Sequence, residues 1–318
     1  MTEGQGRLTL WGIEVFLAVA EDRSITAAAR RLGVSPSAVS QQLTGLEAAL
    51  GASLLDRSAR PMGLTPAGGM FRPHAQTILN AEAEARTALA MADLSGLTTL
   101  RLGVIEDFDA EVTPLLLQVM AADLKGCRFL LETGASHRLL DQLEARALDM
   151  VIAADLGSEG ADDGWREVHP VMAEPFVAVV PKGQGTEGLP LILYTARHLM
   201  GRQIASHLAR QNLKLTHRFE LDSYRAILAM VSSGAGWTIL TPLALHHASR
   251  FRDGVDVLPL PFAPFERSLS LSARAGVLRE MPGQVAARLR TLIGTQVVAP
   301  AVQEWPWMEQ ALRVLPPA

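Results

Sequence analysis

Over the first third of the chain, apolar residues recur at helical spacing, and the breaks fall on residues that stop or start helices. From Leu10 to Glu21, the apolar set Ile13, Phe16, Leu17 and Ala20 shares one face of a predicted first helix. A second, alanine-rich helix is predicted from Ile25 to Leu32, with Ala28 and Ala29 small enough for another helix to cross closely. Gly33 ends it, because glycine takes the positive φ that lets the chain leave at a steep angle. Ser35-Pro36 reads as the next start: a serine hydroxyl caps free N–H groups, and proline at the first helical position loses no hydrogen bond. In this third helix Val39, Leu43, Leu46 and Leu50 follow four-three-four spacing and face inward, while Ser37, Gln41 and Thr44 fall opposite, flanked by Ser40. The outward face is therefore polar, short and uncharged. Such side chains suit a DNA major groove, where glutamine pairs with adenine and serine or threonine with several base edges. An ordinary helical hairpin with a solvated polar face fits the same pattern.

After Gly51, apolar Leu54-Leu55, a polar tip from Arg57 to Arg60 and a returning Leu64 read as a two-stranded wing. Arg57 and Arg60 are candidates for phosphate or minor-groove contact, or for a solvated loop. Thr65-Pro66 repeats the cap-and-proline start of a helix expected to reach about Asp93. In it Phe71, Ala75, Ile78, Ala85, Leu89 and Ala92 keep a near-heptad step broken by Glu82, the pattern of helix-to-helix pairing. Ser95-Gly96-Leu97-Thr98-Thr99 reads as a hinge.

Beyond the hinge the period alternates. LRLGVI, RFLLET and DMVIAA read as strands separated by the helices EVTPLLLQVMAADL and SHRLLDQLEARAL, which argues for a parallel α/β sheet. An apolar run from Pro175 to Val180 precedes a second set from Leu191: LILY, a helix near Arg202 to Gln211, HRFE, a helix from Ser223 to Ser232, and WTIL. A late strand, SLSLSA, and a helix from Pro282 to about Ile293 return to the first lobe. Two α/β lobes joined by two crossovers enclose a cleft, a usual place for a small ligand. The tail from Pro300 to Ala318 carries Trp305-Pro306-Trp307 and an amphipathic run from Met308 to Leu315, expected as a surface-docked terminal helix or an oligomer contact.

Composition narrows the class. A chain of 318 residues with 48% hydrophobic content can bury the cores of two or three domains. A net charge of −4 argues against a general nucleic-acid coat protein. Locally, Arg23, Arg30, Arg31, Arg57, Arg60 and Arg72 outnumber Asp22, Glu47 and Asp56 around the predicted helix-turn-helix, so positive charge gathers where DNA would lie. Cys127 is the only cysteine, so neither an intramolecular disulfide nor a two-cysteine redox switch can form; in KGCRFLLE it enters an apolar strand and is expected to be buried. LTLWGIEVFLAVA is interrupted by Gly12 and Glu14 and is too short to span a bilayer, so no membrane association and a cytoplasmic location are expected.

The segment from Phe16 to Gly68, about the first fifth of the chain, resembles the DNA-binding domain of LysR-type transcriptional regulators. The resemblance rests on the Phe-led first helix, the Ala-Ala pair before Leu32-Gly33-Val34-Ser35, Ala38-Val39-Ser40, Leu46-Glu47, Leu50-Gly51, Leu54, Arg57 and Leu64-Thr65-Pro66-Ala67-Gly68. Pro36 and Leu55 depart from it, standing where many members have glutamine and phenylalanine. It continues more weakly in Gly103, Leu139-Leu140, Leu148-Asp149 and Val231 to Gly236. It implies a winged helix-turn-helix over residues 1–65, a dimerising linker helix over 66–94, and a two-lobed α/β effector-binding domain over 95–297, similar in fold to periplasmic binding proteins. Lobe I is expected over about 99–172 and 268–297 and lobe II over about 173–267, leaving a tail at 298–318. It also implies a homodimer or homotetramer on inverted-repeat, double-stranded promoter DNA, a small-molecule effector in the cleft, and contact with RNA polymerase. The DNA-contacting set expected is Arg30, Arg31, Ser35, Pro36, Ser37, Ser40, Gln41, Thr44, Arg57 and Arg60.

Cleft residues follow from the rule that strand carboxyl ends and helix amino ends line it. That selects Ile105, Glu106, Asp107 and Phe108 after the first strand; Thr133, Ser136 and His137 after the second; Tyr194 and Thr195 in the second lobe; and Asp222, Gly236 and Trp237 near its last turn. Ser136 matches the family's pocket serine, and as a helix N-cap it has a structural role too. Glu106 and Asp107, if they face the cleft, favour a cationic or zwitterionic effector; as acids at a helix start they also suit the helix dipole. His137 and Arg138 pull toward a carboxylate. No nucleophile elbow, phosphate loop or H-E-x-x-H pair is present, and adjacent His246-His247 point apart on a helix, so no catalytic residue, metal or cofactor is expected. The alternatives are a two-lobed solute-binding receptor, which predicts an export signal and no DNA domain, and a transcription factor that acts without a ligand.

Overall fold

The structure is a computed structural model that describes residues 7–90, 97–108, 111–155 and 164–317. It divides near Leu89 into two compact units, with 145–147 assigned to the first. The expected end of the long helix near Asp93, and Ser95-Gly96 of the hinge, lie outside the described residues.

In the first unit, α1 (Leu10–Asp22), α2 (Ile25–Leu32) and α3 (Pro36–Leu50) start where short hydroxyl side chains cap them. The N–H groups of Gly12, Ala27 and Ala38 donate to the side chains of Thr9, Ser24 and Ser35. Gly33 sits at φ +70°, where an L side chain is strained, and turns α2 into α3. Phe16, Ile13, Ala28, Ala29, Val39, Leu43 and Leu46 are buried together, whereas Leu17 and Ala20 are only half-buried. The wing is short: β1 (Leu55–Asp56) pairs antiparallel with β2 (Gly63–Leu64). Thr65 then ties the wing to α4 (Pro66–Ala90), accepting from Gly68 N–H and donating to the Ser53 carbonyl. Along α4, Ala75 is buried and Phe71 meets Phe16 with ring centroids 5.4 Å apart, but Ile78 and Ala85 of the same predicted stripe are exposed.

The second unit holds two sheets. The first comprises β3 (Thr99–Ile105), β4 (Arg128–Gly134), β5 (Met150–Ala154), β6 (Arg166–Pro175), β12 (Glu266–Arg274) and β13 (Arg313–Val314), in the order β13-β6-β12-β5-β3-β4. The second comprises β7 (Val177–Pro181), β8 (Leu191–Tyr194), β9 (His217–Leu221), β10 (Trp237–Leu240) and β11 (Val255–Leu258), in the order β11-β7-β10-β8-β9. Helices α5 (Val112–Asp123), α6 (Ser136–Glu144) and α10 (Met281–Ile293) belong with the first and α7 (Leu199–Arg210) and α8 (Tyr224–Ser232) with the second, while α9 (Pro242–His247), which follows β10, packs on β6 and on residues 106–108 of the first lobe. Each lobe is parallel only in part: β3 runs with β4 and β5, and β8 with β9 and β10, while β6, β12, β7 and β11 pair antiparallel. The expectation of parallel sheets missed these because the crossover strands arrive without a helix between them.

The predicted Pro175–Val180 run is such a crossover. Phe176 separates β6 from β7, donates its N–H to the Phe265 carbonyl at 3.0 Å and stacks on the Phe265 ring at 4.1 Å. Cys127 lies just before β4 and is half-buried rather than within a strand; burial pushes its thiol pKa up. The tail also departs from expectation. After α10 the helix widens into a π turn at Gly294–Val298, continues as α11 (Ala299–Glu304), and ends in β13 on the outer edge of β6. Met308 and Leu312 of the supposed terminal helix are buried, and the residues after them complete a sheet edge that would otherwise present unpaired backbone groups. Among the described residues no helix is long and apolar enough to cross a membrane.

Candidate functional site

On α3, Ser35, Pro36, Ser37, Gln41 and Thr44 are exposed on one side and Ser40 is half-buried beside them. Three hydroxyls have local work: Ser35 Oγ caps the helix and lies 2.9 Å from Ser37 Oγ, and Thr44 donates to the Ser40 carbonyl at 3.0 Å. Gln41 makes no hydrogen bond within the described residues, so both ends of its amide are available to a partner. Arg30 is likewise exposed and unpaired among them.

Arg31 is different. Its guanidinium binds Glu21 at 2.6 Å, Asp22 at 3.2 Å and the Ala18 carbonyl at 3.0 Å, clamping α2 to the end of α1. It therefore braces the motif, a role its spacing did not reveal. In the wing, Arg57 pairs with Glu47 at 2.9 Å, and Arg60 donates to the carbonyls of Arg57 and Ala59. In the sequence Glu47 stands only as part of the family match and as one of three acids near the motif. Its second carboxylate oxygen accepts the N–H groups of Leu54 and Leu55, so one side chain on α3 fixes the root and tip of the wing. At the tip Asp56 is held below its usual pKa by the Ser58 hydroxyl and by the N–H groups of Ser58 and Ala59.

In the second unit, Ile105, Glu106, Asp107, Ser136, Tyr194 and Asp222 come together between the lobes around an inner cavity of about 90 Å³. Thr133 lines an adjoining outer space of about 370 Å³ with Glu106, Asp222, Ser223, Tyr224, Arg225 and His247. Five expected residues are placed elsewhere. Phe108 fills the core of the first lobe, and Trp237 that of the second. Gly236 packs so closely that a Cβ would lie 2.3 Å from the Pro190 carbonyl oxygen. Thr195 is buried and donates to Glu220 at 2.6 Å. His137 is half-buried outside the cavity lining, its pKa lowered first by burial and then by Arg202.

Ser136 does line the cavity, but as the first residue of α6, not as its cap: its hydroxyl accepts the Ala154 N–H at the end of β5. Unforeseen residues complete the wall, above all Arg267, with His198, Met200 and Tyr224. Arg267 is the second residue of β12, with only 4% of its side chain exposed. It donates to Asp107 at 2.9 Å, to Glu174 at 2.7 Å and to the Thr241 hydroxyl at 3.3 Å. Glu174, wholly buried at the end of β6, also accepts the Leu243 N–H at the start of α9. Burial pushes the Glu174 pKa up, and Arg267 opposes that. The triad thus ties the two crossover strands to both lobes, and a buried pair broken on one side costs several kcal/mol, about 3–5. A signal was present: an arginine two residues before Leu269 on the inward face of β12, and a glutamate inside the apolar run PVMAEPFVAVV, each a charge that needs a partner once buried.

The phenols of Tyr194 and Tyr224 are pushed upward, by burial first and then by the Asp107 and Glu106 carboxylates, and stay protonated near neutrality. The cavity thus meets three carboxylates, Glu106, Asp107 and Asp222, against the one guanidinium of Arg267. Among the described residues no cluster of His, Cys, Asp and Glu could hold a metal.

Residues 10–69 match the family "Bacterial regulatory helix-turn-helix protein, lysR family", and residues 95–291 match "LysR substrate binding domain". The chain belongs to the LysR family of transcriptional regulators. Its reading unit is therefore a DNA-binding helix-turn-helix, its two-lobed unit an effector-binding domain, and it is a regulator, not an enzyme. A relative from Mycobacterium avium, named "Probable hydrogen peroxide-inducible genes activator", is 33% identical over 87% of this chain and 93% of its own length. The "DNA-binding transcriptional dual regulator OxyR" of Escherichia coli is 28% identical over the same shares. Among solved structures, a full-length single-site variant of OxyR from Pseudomonas aeruginosa superimposes with a TM-score of 0.66 at 24% identity, covering 92% of this chain and 97% of that one. Full-length CbnR in complex with its target DNA gives 0.61 at 19% identity, covering 89% and 100%. Both likenesses speak to the fold of this LysR-type regulator.

Proposed function

We propose that this LysR-type regulator is a cytoplasmic homo-oligomer that binds inverted-repeat promoter DNA and answers to a small cationic or zwitterionic molecule in the interlobe cleft. The acidic cavity carries this reading: three carboxylates around one already paired guanidinium attract positive charge and repel anions. The inner space is worth only about three waters at roughly 30 Å³ each, enough for an ammonium head, while the outer space takes the rest of the molecule. Ser35, Pro36, Ser37, Ser40, Gln41 and Thr44 face the bases, and Arg30, Arg57 and Arg60 face the phosphates. Exposed Ile78 and Ala85 on α4 support pairing with a second subunit, whose symmetry matches an inverted repeat. Effector binding then favours one dimer geometry, and with it contact with RNA polymerase.

The names of the relatives raise an oxidant-driven switch. With Cys127 alone, and with its thiol pushed up by burial, the chemistry here favours reversible binding over disulfide formation.

DNA from the region beside its own gene, titrated at fixed salt against random competitor, tests the first half. Tight binding that survives competition is expected; binding no better than random overturns it. For the second half, putrescine and lysine should raise the melting temperature of the wild type, and Glu106→Gln with Asp222→Asn should weaken them about tenfold, or 1.4 kcal/mol. Equal response to acetate, or response to hydrogen peroxide alone, overturns the cationic reading.

A further inference from the structure

A second cavity, of about 310 Å³, lies in the effector-binding unit and shares no lining residue with the cleft. One wall is the second lobe: Leu228 of α8, Leu245 of α9, Val257 of β11, and Phe251 just before that strand. The other is the chain returning from the first lobe: Val297, Ala301 and Trp305. That wall owes its shape to sequence. Pro300 lacks an N–H and would clash with the carbonyl four residues back in a regular helix, and the π turn at Gly294–Val298 widens the backbone just ahead of it.

The mouth is charged but internally neutralised. Arg252 donates to Glu304 at 3.0 Å and lies 5.0 Å above the Trp305 ring; Lys182 pairs with Asp256 at 2.6 Å; His246 pairs with Glu111. Arg252 and Lys182 therefore each already have a carboxylate, and exposed Asp253 leaves the rim acidic. Protein interiors are packed as densely as organic crystals, and a space of this size walled by apolar groups forfeits their contacts unless something fills it. Clefts of this size lined mainly by apolar side chains take up small, mostly apolar molecules.

We propose that this cavity is a second small-molecule site, for an uncharged, mostly apolar molecule of the size of one or two fused aromatic rings. Its volume is that of a ligand pocket, most of its lining residues are aliphatic or aromatic, and its charged residues offer an anion no free partner. Because the walls come from both lobes, an occupant contacts both and is sensitive to how they are arranged.

Indole is the probe, used with the full-length protein. Saturable binding by saturation-transfer NMR is expected, with indole-3-carboxylate at least about tenfold weaker because of the acidic rim. A diazirine-bearing indole should label peptides containing Val255–Val257 or Ala301–Trp305 in the unmodified chain, a readout that needs no variant. Ala301→Phe fills the space and should abolish binding; Ala301→Met, which adds fewer atoms, should weaken it if the larger residue prevents folding. Asp222→Asn, in the cleft, should leave it unchanged. No saturable binding, labelling confined to cleft peptides, or loss of binding on Asp222→Asn alone would overturn the proposal.

Discussion

The outward face of α3 and the interlobe cleft are both polar surfaces built to meet a partner, but they are held in opposite ways. On α3 the polar side chains stand on a helix whose position is fixed from behind by Val39, Leu43 and Leu46, and Gln41 itself holds nothing. In the cleft, Asp107 and Arg267 are at once lining and structure, since their charges are buried and paired with each other and with Glu174. A surface of the first kind can change its specificity without touching stability; one of the second kind cannot.

The largest test of that contrast is Arg267→Met. Leaving Asp107 and Glu174 buried without a counter-charge should cost about 3–5 kcal/mol, read as a lower urea midpoint. Adding Asp107→Asn and Glu174→Gln should recover much of it, whereas no recovery would mean that the arginine acts through packing. Next, Gln41→Ala should weaken binding to the specific site by about 1–3 kcal/mol, with unchanged melting and unchanged affinity for random DNA. Equal losses on both DNAs would remove its base-reading role. Smaller still, Arg30→Ala should lower the slope of log K against log salt by about one, while Arg31→Ala should mainly lower the melting temperature, because its charge is spent on Glu21 and Asp22.

The smallest effect concerns His137. Its folded pKa lies below the ordinary 6.5, so at mildly acidic pH the unfolded chain binds more protons and stability falls as pH drops below that value. His137→Gln should flatten this part of the stability profile between about pH 7.5 and 5.5, measured by urea melts. An unchanged profile would place the titration elsewhere.

The same contrast explains what could be read from the chain alone. Helix α2 and the start of α3 follow from short-range rules: a serine cap, a glycine stop, a proline start, a four-three-four apolar face. Every partner lies within a few residues, so the spacing carries the answer. The cleft depends on Asp107, Glu174 and Arg267 meeting across separations of 67, 93 and 160 residues, and no local pattern encodes such a meeting. Rules for strand ends found Ile105, Glu106, Ser136, Tyr194 and Asp222, because those depend only on which end of a strand a residue follows. They misplaced Trp237 and Gly236, which lie at the start of β10, the wrong end for that rule. Strand β13 escaped for a further reason: Met308 and Leu312 are four apart, a spacing that a helix and a turn before an edge strand satisfy equally.

The stacked pair Phe176 and Phe265 has a mechanical consequence. The two chain crossings between the lobes are fastened side by side, rung to rung, so they act as a single ribbon and not as two separate strings. A ribbon bends easily across its flat face and resists sliding along its length or splaying at its edges. Fastened in this way, the two crossings are expected to let the lobes swing across the ribbon's flat face more readily than they slide or splay.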